Sequence, residues 1–220
     1  MNGSKAWLVP LTGVAFVVVL VIGFIVAGEP PAADEPVQEI VSHYDENKDS
    51  VQIGAGLVAI AATFLIFFGG YLRKVLADAE GGGGILSAVV LVGASVIAVG
   101  GAIDATISFA IAEAVDDIDP TAVQALQALW DNDFFPIALG TTVFLLASGI
   151  SIVRHGALPK WLGWVAIVLG VVGVTPIGFV SFLAGGVWIL IVSVLLSLRA
   201  RAPAAPGPTP PAAPPPAATT

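Results

Sequence analysis

Within the long apolar stretches of this 220-residue sequence, Asp104 is the sole acidic side chain, and a carboxyl there could relay a proton, hold a cation or bond a neighbouring helix. It follows Ile85 by 19 residues, about 28 Å of helix, which places it near one edge of a hydrocarbon layer and away from the midplane. That depth argues against a proton relay and for hydration or pairing within the bundle, with Thr106 and Ser108 close by as hydrogen-bonding neighbours. Asp104 is therefore the one candidate site residue, for ion or partner contact.

Other constellations fail on their residue types. An intramembrane aspartyl protease needs two facing aspartates, and a serine protease needs a histidine beside Ser95, Ser148, Ser151 or Ser193, yet no apolar stretch contains a histidine. His43 and His155 are separated by an odd number of crossings, so they cannot jointly ligate a haem or metal. The run from Asp45 to Ser50 has the oxygen spacing of a calcium loop, but it lacks the central glycine and has Gly56 where a bidentate glutamate should stand. The sequence thus predicts no catalytic residue, no cofactor and no metal site.

The composition sets the solvent. Hydrophobic residues make up 57% of the chain and charged residues 11%, far below the quarter usual in soluble domains, which excludes water-soluble enzyme classes. There is no cysteine, hence no disulfide framework and no thiolate chemistry. A formal charge of -8 with eight basic residues argues against nucleic-acid partners and leaves the lipid bilayer as the first partner.

Crossing roughly 30 Å of hydrocarbon takes about 20 helical residues, and apolar runs of that kind predict an all-α, polytopic membrane helix bundle with six transmembrane helices. The spans fall at about 7–27, 51–72, 85–111, 134–153, 161–176 and 179–198; the last two are short and joined at Pro176, so a kinked hairpin is the alternative there. With the N-terminus inside, Lys5, Arg73, Lys74, Arg154, Lys160, Arg199 and Arg201 lie on the cytoplasmic side and only Lys48 outside. Both termini are then cytoplasmic and the protein sits in the plasma membrane. The acids gather on the opposite face, from Glu29 to Asp49 and from Glu113 to Asp133. The first span has a rival reading as a signal peptide cleaved near Gly28, although its apolar core exceeds the usual length.

Both outer loops carry a short amphipathic pattern. Pro36 opens one, with Val37, Ile40, Val41 and Tyr44 on a common face; Asp119 caps the other, with Pro120 first and Ala122, Val123, Leu126, Leu129 and Trp130 apolar. Such helices plug the mouth of a bundle or lie among headgroups, and a ligand lid is the functional alternative. The link from Val75 to Gly84, ending in four glycines, reads as a flexible connector, and 202–220, of Ala, Pro, Gly and Thr with one Gly, as a disordered cytoplasmic tail. Small residues mark helix contacts: Gly93, Ala94, Ala98, Gly101, Ala102 and Ala105 in the third span, and Ala166, Gly170 and Gly173 in the fifth. Trp7, Trp161, Trp164, Trp188 and Tyr71 are assigned mostly to the aromatic belt at span ends.

The segment Gly156, Ala157, Leu158, Pro159, Lys160, Trp161, Leu162, Gly163, Trp164, with the helix 135–154 before it and Gly69, Gly70, Tyr71, Leu72, Arg73 ending the second span, resembles a pattern of uncharacterised six-helix integral membrane proteins of actinobacteria, of the domain-of-unknown-function type. The resemblance spans roughly residues 6–200. It implies fold and compartment and carries over no catalytic residue. The functional expectation is a non-enzymatic accessory or interaction component, binding itself or another membrane protein; the alternative is a small-solute or ion transporter or channel.

Overall fold

A computed structural model describes residues 7–201; Lys5 and the proline-rich tail of 202–220 lie outside the described residues. The chain is all-α. In order, the helices are α1 (Thr12–Ala27), α2 (Val37–Glu46), α3 (Lys48–Ala79), α4 (Ile85–Ala114), α5 (Pro120–Trp130), α6 (Phe135–His155), α7 (Lys160–Gly173) and α8 (Gly178–Arg201). Four helical segments are long and apolar enough to cross a membrane: α3, α4, α8, and the continuous Pro120–His155 segment, in which α6 carries the apolar run. The helices α1 and α7 are apolar but shorter.

The six apolar helices close a ring in the order α1, α3, α4, α6, α7, α8 and back to α1. Neighbours run antiparallel, so Arg73, Lys74, Arg154, Lys160, Arg199 and Arg201 collect at one end, and α2 and α5 cover the other. Lipid offers no hydrophobic drive for one helix to leave it for another, so the ring depends on backbones approaching closely enough for dispersion to add up. Glycine permits this at successive seams. Where α1 meets α3, a Cβ on Gly54 would sit 2.6 Å from the Ala27 Cβ and 2.8 Å from the Gly23 carbonyl. Between α4 and α6, a Cβ on Gly93 would sit 2.5 Å from the Phe144 backbone nitrogen and one on Gly140 2.6 Å from that of Ile97; between α6 and α7, a Cβ on Gly149 would sit 2.6 Å from the Gly163 carbonyl.

Of the small residues singled out from sequence, Gly93, Ala94, Ala98, Ala105, Ala166, Gly170 and Gly173 are buried at these seams. Ala102 is not, and faces outward. Trp188 also departs from the aromatic belt: it is 2% exposed, stands edge-on to Phe144 at 6.0 Å and donates its indole N–H to the Leu162 carbonyl. A large ring is needed there to fill the bundle axis. Trp161 and Trp164 do face outward near the start of α7, and Trp7 is covered by the Arg201 guanidinium at 3.7 Å.

The link after the second span is shorter than the composition suggests. Helix α3 continues through Val75 to Ala79 because Leu72 and Leu76, one turn apart, are both fully buried in the core. Only the glycines turn, with Gly81 and Gly82 in the left-handed region. Glu80 then fixes the turn: its carboxylate accepts from the Ser87 backbone N–H in the first turn of α4 and from the Ser151 hydroxyl on α6. The connector is a pinned corner.

Two neighbouring glycines separate packing from conformational entropy. Gly54→Ala is expected to destabilise the protein by about 1–3 kcal/mol through overpacking, whereas Gly56→Ala, with nothing within 4 Å of the new Cβ, is expected to stabilise it by about 0.5–1 kcal/mol. Thermal unfolding of both variants in the same detergent micelle checks the sign of each.

Candidate functional site

The bundle is solid at the basic end and hollow at the other. Phe68, Leu72, Leu76, Val90, Phe144, Leu145, Trp188 and Ile189 fill the interior toward the basic end. Beyond Phe16, Leu65 and Ile97 the helices part around a cavity of about 890 Å³, bounded by α1, α3 and α4 and by the starts of α6 and α8. Its walls are apolar, from Leu20, Phe24, Val58, Phe134, Phe179 and Phe182 among others. Small residues leave the space: Gly101 and Ala98 of α4 and Ala55 of α3 present no bulk to it.

The helices α2 and α5 roof this end, and each forms for local reasons. Asp119 accepts from the Thr121 hydroxyl at 2.5 Å and from the Thr121 N–H at 2.8 Å, and Pro120 occupies the first turn, as the sequence predicts; these hydrogen bonds hold the Asp119 carboxyl below its ordinary range. Pro36 stands just before the first residue of α2. The apolar faces of the two helices meet in a second core of Ile40, Tyr44, Val51, Ile111, Ala112, Val115 and Val123. One hydrogen-bonded chain knits them: the Tyr44 hydroxyl donates to Gln127 Oε1 at 2.7 Å, Gln127 Nε2 donates to Asp131 at 2.9 Å, and Asp131 accepts the Ala33 N–H at 2.8 Å. Burial, followed by the Asp131 and Asp104 carboxylates, pushes the Tyr44 phenol up, so it stays a donor. The amphipathic helices therefore plug the mouth of the bundle.

A polar collar separates roof from cavity. It comprises His43, Asp104, Ser108, Trp130, Asp131 and Asp133, with Glu29 at the rim. Three of its atoms are buried without a hydrogen-bond partner: His43 Nε2, Trp130 Nε1 and Asp133 Oδ2. Burial pulls the His43 imidazole down more than Glu46 pulls it up, and burial pushes the Asp133 carboxyl, in the turn before α6, up to about 6. The Trp130 indole approaches the Asp104 carboxyl without completing a bond of normal geometry. Among the described residues, no lysine or arginine lines the cavity. Lys48, the basic residue at this end, is engaged elsewhere, 3.5 Å from Asp116 and donating to the Glu113 carbonyl.

Asp104, the residue singled out from sequence, faces this cavity two turns along α4 from Ile97. Thr106 and Ser108 bond only their own helix, to the carbonyls of Ala102 and Asp104. Three of the four serines bond structurally, Ser95 to the Leu91 carbonyl, Ser151 to Glu80 and Ser193 to the Pro10 carbonyl, while the buried Ser148 hydroxyl has no partner among the described residues. His155 is exposed at the basic end, far along the chain's fold from His43. Sequence reasoning did not assign His43, Trp130, Asp131 or Asp133 to the neighbourhood of Asp104. The available signal was the Trp130 to Asp133 run directly after an amphipathic helix, which places carboxyls at an apolar edge. Comparison with protein-family models, characterised proteins and solved structures returns no significant match.

The roof depends on one buried acceptor. Tyr44→Phe leaves Gln127 Oε1 without its donor and is expected to cost about 1–3 kcal/mol, local to α2 and α5. Hydrogen exchange should quicken across both helices and stay unchanged in α6 and α7.

Proposed function

We propose that this chain is a multi-pass plasma-membrane protein of a non-enzymatic, accessory or interacting kind, and that it binds through the cavity beneath the α2–α5 roof. All six apolar helices of the ring cross the bilayer, the short α1 and α7 being accommodated by local thinning. Both chain ends are cytoplasmic and the roof faces outward. Charge supports this orientation, because six described basic residues lie at one end against Lys48 at the other. The resemblance to uncharacterised six-helix membrane proteins of actinobacteria accords with it.

The observation that carries the binding reading is the cavity itself, whose 890 Å³ lies within the range of small-molecule sites. Its polar groups suit holding more than reacting. The Ser108 hydroxyl is committed to its own helix carbonyl, and the collar pairs no nucleophile with a base. Conduction would need polar surface continuing toward the basic end, and the packed layer of Phe68, Leu72, Phe144 and Trp188 favours binding over passage.

Two measurements test the parts separately. The chain has no native cysteine, so single variants Ser42→Cys and His155→Cys report topology cleanly. In intact cells a membrane-impermeant maleimide should label the first and spare the second; the reverse pattern overturns the orientation. For binding, a neutral solvatochromic dye should be held by the purified protein in nanodiscs. Gly101→Leu, whose side chain enters the cavity, should weaken that binding about tenfold or more at a stability change under about 1.5 kcal/mol. Unchanged dye binding in that variant overturns the assignment of the cavity.

A further inference from the structure

We propose that the cavity takes a single-chain amphiphile with a cationic headgroup, an alkylamine in its simplest form, admitted sideways from the lipid between α1 and α8. The inference rests on the cavity being a binding site and adds the class of occupant and its route.

The walls and the collar specify the two ends of such a molecule. Phe16, Leu20, Leu65, Ile97 and Phe182 offer nothing but dispersion and apolar burial, which suits a hydrocarbon chain. At the other end the cavity meets the half-buried Asp104 and Asp133 carboxyls, with the exposed Glu29 and Asp131 beside them and no lysine or arginine among the described lining residues. A carboxylate set against hydrocarbon is costly unless a cation answers it, and Lys48, the one lysine at this end among the described residues, is engaged by Asp116 and the Glu113 carbonyl. A cation carried by the occupant would answer the half-buried Asp104 and Asp133 carboxyls. The unpartnered Asp133 Oδ2 is an acceptor that an ammonium would satisfy, and the unpartnered His43 Nε2 belongs to the same lining. An anionic or zwitterionic head would bring negative charge against the same carboxyls.

The route follows from how the ring is closed. The α1–α8 seam is tied near the basic end: the Ser193 hydroxyl donates to the Pro10 carbonyl and accepts the Val14 N–H at 3.2 Å, Ser197 donates to the Trp7 carbonyl at 3.0 Å, and Arg201 lies over Trp7. Toward the roof, no hydrogen bond joins the two helices among the described residues, and the cavity is bordered there by Phe24 and Ile25 on one side and Phe179 on the other. These three are 45%, 75% and 54% exposed, in the part of the ring that faces lipid. The seam is a wedge closed at one end, through which a chain can slide while its head stays near the headgroup layer.

The test compares dodecylamine, dodecanol and dodecanoate as displacers of the neutral dye from the protein in uncharged nanodiscs. Dodecylamine should displace it at a concentration about tenfold lower than dodecanol, and dodecanoate should be the weakest. Asp104→Asn with Asp133→Asn should remove the amine's advantage over dodecanol; Asp116→Asn, outside the cavity, should preserve it. Dodecylamine with a diazirine at its tail end should label peptides containing Phe16, Leu65 or Ile97. Equal displacement by all three, an amine advantage surviving in the double variant, or labelling confined to the lipid-facing Phe67 and Val92 would each overturn the proposal. If wild-type protein does not hold the dye at all, the cavity reading itself falls; dye binding without head preference leaves that reading intact and removes only this one. Should the double variant lose the dye as well, Asp133→Asn alone supplies the comparison, with the same expected loss in direction.

Discussion

Everything in this bundle hangs on backbones touching at glycine. In water, a helix with a buried apolar stripe is driven onto its neighbours by solvent; in hydrocarbon the stripe is equally content facing lipid, and only close approach gives neighbouring helices an advantage. The contacts of Gly54 with Ala27 and Gly23, of Gly93 with Phe144, of Gly140 with Ile97 and of Gly149 with Gly163 supply that approach at successive seams of the ring. A methyl at any of these points would separate two helices and loosen dispersion contacts along their whole length.

The same rule explains where the bundle is hollow. Close glycine crossings fix α3 against α1 and α4 against α6, while the basic half is filled by Phe68, Phe144, Leu145 and Trp188. Toward the roof the inward positions fall to Ala55, Ala98 and Gly101, which hold backbones in place yet contribute no volume. The seam between α1 and α8 is tied through Ser193 and Ser197 near its basic end, and toward the roof no hydrogen bond joins the two helices among the described residues. Space thus arises from a mismatch: tight backbone spacing set by one half, small side chains in the other.

The roof turns that space into a site. Its two short helices could not hold an amphipathic fold alone, but joined face to face through Ile40, Tyr44 and Val123 and by the Tyr44, Gln127 and Asp131 chain, they form a second small core resting on the ends of α3 and α4. Closing the roof carries Trp130, Asp131 and Asp133 over Asp104 and leaves several of their polar atoms unanswered. A polar collar with unsatisfied atoms above an apolar hollow is a mould for a molecule with the same two-part character.

Much of this was readable from order and composition. Apolar runs of helical length, Asp119 with Pro120 as a helix start, the alternation of acid and base along the chain and the small residues of α4 and α7 are local patterns, and local backbone physics acts on them directly. Asp104 stood out because a lone carboxyl in an apolar run is expensive wherever the run folds. What the order of residues could not supply was distance between segments. The stretch from Val75 looked like a linker until the burial of Leu76 in the core extended α3, and Trp188 looked like an interfacial anchor until Phe144 and the Leu162 carbonyl enclosed it. The cavity belongs to the same category: it is bounded by residues from Phe16 to Phe182, and a volume between several helices exists only once their spacing is fixed. Sequence determined the helices and which of their faces are small; tertiary packing alone decided that those small faces would surround a void beneath Asp104, because emptiness is a property of the assembled ring and of no single helix in it.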